Sequence, residues 1–174
     1  MYCLIFAAPS RRLSRFMAAT APILECPTEK SSVSGQELAS TKGGQMKLTT
    51  FLMFSGAAEE AMTFYMSLFP NSRIIALERY GPGEPGPEGT VKQAVFELNA
   101  TRLMCIDSPV QHAFTFTPAM SLFIDCDDQN QLDTLFERLS EGGQTLMPLD
   151  SYGFSRKFAW VQDKYGVSWQ LNLP

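Results

Sequence analysis

The sequence predicts an α+β fold built from two β-α-β-β-β modules, each a short curved mixed sheet with one helix on its outer side. Three observations carry this. From Met46 onward, segments of strand and helix character follow in the order strand, helix, three strands, and then repeat that order. Thr50, Phe51, Leu52 and Met53 recur as Ser121, Leu122, Phe123 and Ile124, 71 residues on; the same spacing carries Ala61, Phe64, Tyr65 and Leu68 onto Leu132, Leu135, Phe136 and Leu139. Finally, "ERYG" (78–81) returns as "DSYG" (150–153), 72 residues on. A duplication of this kind is read before any single motif, because it sets the architecture.

The elements follow in order. "KLTTFLMFS" (47–55) reads as a strand. "AAEEAMTFYMSLF" (57–69) reads as a helix, since Ala61, Phe64, Tyr65 and Leu68 fall at i, i+3, i+4 and i+7. Asn71 and Ser72 break it, and "RIIALERY" (73–80) is the next strand. "GPGEPGPEG" (81–89) is a Pro/Gly loop. "VKQAVFELN" and "TRLMCID" are strands joined by a tight turn near Asn99. "SPVQHAFTFTP" (108–118) connects the modules. "MSLFIDC" is a strand, and "QNQLDTLFERLSEG" a helix with Asp128 as N-cap and Gly142-Gly143 as its stop. "QTLMPLD" and "KFAWVQD" are strands. The "DKYG" turn (163–166) leads to the last strand, with Gly166 supplying positive φ. In that strand Val167, Trp169, Leu171 and Leu173 alternate with Ser168, Gln170 and Asn172, so one face enters a core.

Domain limits and partner classes come from composition. The chain has 174 residues, 45% hydrophobic and 18% charged, which is globular. Net charge is −4 and no basic run exceeds Arg11-Arg12, so nucleic acid is not an expected partner. No apolar run approaches the ~18 residues of a spanning helix, so no membrane partner is expected either. Residues 1–45, rich in Ser, Ala, Thr and Gly, read as a flexible extension, either an Arg-bearing, acid-poor transit segment or a start placed upstream of Met46. Residues 46–174 form the domain, with modules 46–109 and 119–174. The expected compartment is cytoplasmic, or an organelle matrix if residues 1–45 are a genuine transit peptide. None of the four cysteines forms a CxxC; Cys105 and Cys126 sit in apolar strands, where a free thiol behaves as a small buried hydrophobe.

Several residues are candidates for chemistry. His112 is the one histidine, which excludes mechanisms needing two in a chain. It reads either as a lone general base or as an incidental group in the connection. Asp107 reads as a strand cap or as a cleft carboxylate. Gln170 either faces water or lines a cleft between the modules. Tyr152 and Phe154, in a loop, read as a pocket rim. Phe158 and Trp160, two apart, either pack one core face or floor an apolar pocket. Two other chemistries lack their residues. "GPGEPGPEG", with three prolines and two glutamates, does not suit the anion cradle of a methyl-donor site, and no GxSxG is present for a serine nucleophile.

The segments "TFLMFSGAAEEAMTFYMSLFPNSRI" (50–74), "DSPVQHAFTFTPAMSLFIDCDDQNQLDTLFERLSEGG" (107–143) and "MPLDSYGFSRKFAWVQDKYGVSWQLNL" (147–173) resemble the vicinal oxygen chelate superfamily of glyoxalases, extradiol dioxygenases and bleomycin-resistance proteins. Within it they resemble the PhnB-like branch, often labelled 3-demethylubiquinone-9 3-methyltransferase. The resemblance implies paired modules around a cleft, a homodimer, and four positions that in metalloenzymes of the superfamily hold one divalent ion. Those positions fall at or near Thr50, Ile106 (or Asp107), Ser121 and Gln170. Gln170 alone keeps a ligand-type residue, so no metal and no other cofactor is expected. The expected function is therefore metal-free binding of a small apolar or aromatic molecule in the cleft, with Gln170, Tyr152, Phe154, Thr50 and Ser121 as ligand-binding residues. The alternative is a glyoxalase- or dioxygenase-type enzyme of the same superfamily, with His112 and Asp107 as candidate catalytic groups.

Overall fold

A computed structural model describes residues 46–174, and the readings of residues 1–45 lie outside it. The described residues run β1 (Thr50–Phe54), α1 (Ala58–Leu68), β2 (Arg73–Arg79), β3 (Val91–Leu98) and β4 (Thr101–Asp107). The second module runs β5 (Ser121–Asp125), α2 (Gln129–Ser140), β6 (Gln144–Asp150), β7 (Lys157–Gln162) and β8 (Ser168–Leu173). Both sheets have the same plan. Strand order is β1-β4-β3-β2 in sheet A and β5-β8-β7-β6 in sheet B, with the first and last strand of each module parallel and the others antiparallel. This is the α+β duplication that the 71-residue spacing predicts, and the two sheets remain open.

Local chemistry explains the element ends. α2 starts at Asp128, whose side chain accepts the Gln131 N–H at 2.8 Å. α1 has Ala57 at the same place, with no side-chain cap. Its cap comes from across the sheet: Asp107 Oδ1 accepts the N–H groups of Gly56 (2.8 Å) and Ala58 (2.9 Å). The turn between β3 and β4 takes Asn99 and Ala100 at φ 43° and 67°, as a two-residue hairpin requires. Gly143 is fixed by space: a Cβ there would lie 2.3 Å from the Gln162 carbonyl oxygen. Gly166 has φ +88°, as the "DKYG" reading expects.

Ladder register assigns the faces. Thr50, Leu52 and Phe54 pair with Leu103, Cys105 and Asp107, so they share the face of sheet A that packs on α1. Trp169, Leu171 and Leu173 hold the corresponding face of sheet B, beneath Leu132, Leu135 and Leu139 of α2. These helix-bearing faces belong to one hydrophobic cluster. The modules therefore meet through their helix sides. The Trp169 ring lies 5.1 Å from that of Tyr65 and stacks on Phe69 at 6.1 Å. Cys105 and Cys126 are buried and free, and burial pushes their thiols up to about 12 and about 11. They behave as small hydrophobes, not nucleophiles.

One carboxylate ties the modules together. Asp163, in the turn between β7 and β8, is only 4% exposed. Its Oδ2 accepts Tyr65 O–H from α1 at 2.7 Å and Trp169 Nε1–H at 2.8 Å; its Oδ1 accepts the N–H groups of Tyr165 and Val167. Burial raises the Asp163 carboxyl above its usual range, against the pull of those four donors.

Candidate functional site

Among the described residues, each sheet has one face that no helix covers. On sheet A that face carries Phe51, Met53, Met104 and Ile106, and Phe51 is 49% exposed. On sheet B it carries Ser121, Phe123, Trp160, Ser168 and Gln170. There a polar chain runs across three strands. Gln170 Nε2–H donates to Ser121 Oγ (3.1 Å), Ser121 and Ser168 share a hydrogen bond at 2.7 Å, and Trp160 Nε1–H donates to Ser168 Oγ at 2.8 Å. Trp160 thus lies on the open face, and so does Phe158, its neighbour by two. Phe158 is buried, yet outside the main cluster, because it packs against Tyr152 and Phe154 at 6.1 and 5.2 Å. The core-face reading holds for the burial of Phe158 but not for Trp160, which is half-buried on the open face. The three rings form a local aromatic group, with Tyr152 O–H donating to the Pro148 carbonyl and Phe154 left exposed.

The connection between modules, residues 108–120, folds over β1 and walls a concavity there. A crevice of about 540 Å³ is lined by Phe51, Met53, Phe54 and Ser55 of β1 and its end, Ala57, residues 112 and 114–116 of the connection, and Lys164-Tyr165 of the turn. A narrower crevice of about 200 Å³ shares Phe51 and Phe116 with it and adds Thr50, Met120, Ser121 and Ser168. Phe116 anchors the connection by an edge contact with Phe54 at 5.1 Å. His112 stacks on Phe114 (4.8 Å, 28°) and shares a hydrogen bond of 2.9 Å between its Nε2 and Ser108 Oγ.

The structure thus brings His112 to the wide crevice, Thr50 and Ser121 to the narrow one, and Gln170 behind Ser121. Tyr152 and Phe154 form their own cluster on the β6–β7 loop. Asp107 is withdrawn from solution chemistry. It is 3% exposed, and besides the two N–H groups before α1 it accepts Val91 N–H at 3.0 Å. Asp107 thus caps the start of α1 and ties it to the start of β3, rather than capping its own strand. The reach of Asp163 to Tyr65 and the role of the connection as a wall had no signal in the spacing.

Of the four metal positions, Thr50 and Ser121 line the narrow crevice and Gln170 donates to Ser121, but only Gln170 among these three is a ligand-type side chain. Thr50 and Asp107 point to the α1 side of sheet A, Ile106 to its opposite side, and Ser121 and Gln170 to the open side of sheet B. The 71-residue spacing lays Thr50 on Ser121, but their side chains leave opposite faces, since one residue of register reverses a strand's faces. Among the described residues, no three His, Cys, Asp or Glu side chains lie together as a metal would need. The donors present do not fit a divalent chelate centre.

Comparison with known proteins agrees with this architecture. The family model described as 3-demethylubiquinone-9 3-methyltransferase matches residues 46–172. The chain belongs to this family. It is a PhnB-like member of that family. A PhnB protein from Bacillus cereus is 58% identical over 74% of this chain and 100% of its own, with a TM-score of 0.72. Protein PA1353 from Pseudomonas aeruginosa, 23% identical over 74% of this chain and 98% of its own, shares the fold at 0.65. Protein SA1046 from S. aureus, 16% identical over 76% and 97%, shares it at 0.53. None of the curated proteins compared with the chain matches it. The methyl-transfer chemistry in the family's description finds no phosphate-type cradle in the 81–89 loop. That loop joins the antiparallel strands β2 and β3 and opens no helix. No helix of the described residues is long and apolar enough to cross a membrane.

Proposed function

We propose that this family member binds a small apolar or aromatic molecule in the crevice between β1 and the 108–120 connection, without a metal. The observation that carries the reading is the wall chemistry. Phe51, Met53, Phe54, Phe114 and Phe116 surround a space of about 540 Å³, within the range of ligand pockets, while a few polar groups edge it. Phe51 and Phe114 are 49% and 66% exposed, apolar surface that a bound ring would cover. The glyoxalase- or dioxygenase-type alternative needs either a converging donor set or a second acid–base group beside His112, and Asp107 is occupied by backbone.

Thermal unfolding of the full chain with a panel of neutral one- and two-ring aromatics tests this. At least one is expected to raise the midpoint, and Phe51→Ser is expected to weaken its binding about tenfold by removing a buried ring face. No stabilising compound, or one bound equally by Phe51→Ser, overturns the reading.

We also propose that two copies pair. Among the described residues each sheet leaves a face without a helix, with Phe123 half-exposed on that of sheet B, and β1 and β5 are sheet edges. Sedimentation is expected to give twice the mass of one chain; the mass of a single chain at micromolar concentration would contradict it.

A further inference from the structure

Resting on that binding reading, we infer that the ligand is a monocarboxylate with an aromatic or apolar body, its acid group held between Lys164 and His112. Among the described residues no aspartate or glutamate lines the wide crevice, whereas a lysine and a histidine do, with Ser55 and Thr115 as hydroxyl donors. The two basic groups come from different parts of the chain. Lys164 arrives on the β7–β8 turn and His112 on the connection, and both line the crevice with the apolar side chains of β1.

Lys164 is available for an incoming anion. Its partner within the chain is Glu60 at 3.3 Å, a side chain 68% exposed that also accepts Tyr165 O–H at 2.8 Å. An exposed pair of this length contributes little, so exchanging Glu60 for a ligand carboxylate costs little. The ammonium lies over two rings, 5.0 Å from the centre of Tyr165, which lines the wide crevice, and 5.3 Å from that of Phe64, which with Glu60 lines the adjoining one; Lys164 borders both. His112 is placed by its stack on Phe114 and its hydrogen bond with Ser108. A carboxylate at this edge leaves a ring of the ligand against Phe51, Met53 and Phe116. An uncharged ligand would leave Lys164 in its weak surface pair and gain nothing from it.

Calorimetric titration of the full chain with 2-naphthoate and with 2-naphthamide, the same ring system with and without charge, tests the inference. The acid is expected to bind at least tenfold tighter. Lys164→Met is expected to bring it down to the level of the amide while the amide itself is unchanged, and Lys164→Arg, which keeps the charge, to retain most of the difference. Both side chains sit on a half-exposed position, so the variants are expected to unfold where the parent does. Equal binding of acid and amide overturns the carboxylate and leaves the apolar reading standing. Binding of neither overturns both.

Discussion

Replacing Asp163 by alanine is expected to lower stability by about 3–5 kcal/mol, with a fall in the thermal midpoint on the order of 10 °C. The size follows from what the carboxylate holds. Two backbone N–H groups, the Trp169 indole and the Tyr65 hydroxyl all end on it, in a site only 4% exposed. Alanine leaves these donors without an acceptor, and an unmet buried donor costs about 1–3 kcal/mol. It also cuts the polar tie between α1 and the second module. Asparagine does not restore the wild-type state, because Tyr65 and Trp169 both donate to Oδ2, and an amide nitrogen there would face the indole N–H. Urea unfolding of the two variants measures this, and a loss below 1 kcal/mol in Asp163→Ala would contradict it.

The pH dependence carries a definite sign. Burial raises this carboxyl in the folded protein above its unfolded value, so folding favours its protonated form. Its contribution is then fully present below the unfolded value of about 4 and is lost as pH rises through the folded one. The stability advantage of the wild type over Asp163→Asn is expected to be larger at pH 4 than at pH 7. The opposite trend would mean that the four donors outweigh burial.

Asp107→Ala is the second large effect, expected at about 3 kcal/mol. Its three N–H partners lie at the start of α1 and the start of β3, and Ala57 supplies no cap of its own. Hydrogen exchange is expected to quicken first at Gly56, Ala58 and Val91. A variant that kept its stability and these protections would return Asp107 to the list of free carboxylates and reopen acid–base chemistry there.

These two aspartates show where the sequence was legible. Both lie at strand ends beside turn residues, and a turn or cap role for each can be read from that. Their partners cannot, since the contacts span 51 residues for Gly56–Asp107 and 98 for Tyr65–Asp163. The fold was more open to reading, because strand period, helix period and duplication are local signals that agree with one another. The site was less so. Repeat spacing put Thr50 with Ser121, but a spacing aligned over a whole module does not fix strand register to one residue, and one residue decides the face. Phe158 and Trp160 alternate correctly for a core face; which face of a two-faced strand bears the helix is settled only by α2 docking on Trp169 and Leu171. The crevice itself depends on the path of residues 108–120, a segment without period.

The binding proposed for this PhnB-like chain needs no metal. The metal content of the full chain, purified without chelator or affinity metal, tests it most directly. The predicted result is far less than one divalent ion per chain, with an unfolding midpoint that EDTA leaves unchanged. About one ion per chain, lost on Gln170→Ala, would contradict the donor geometry and make chelate chemistry the leading account.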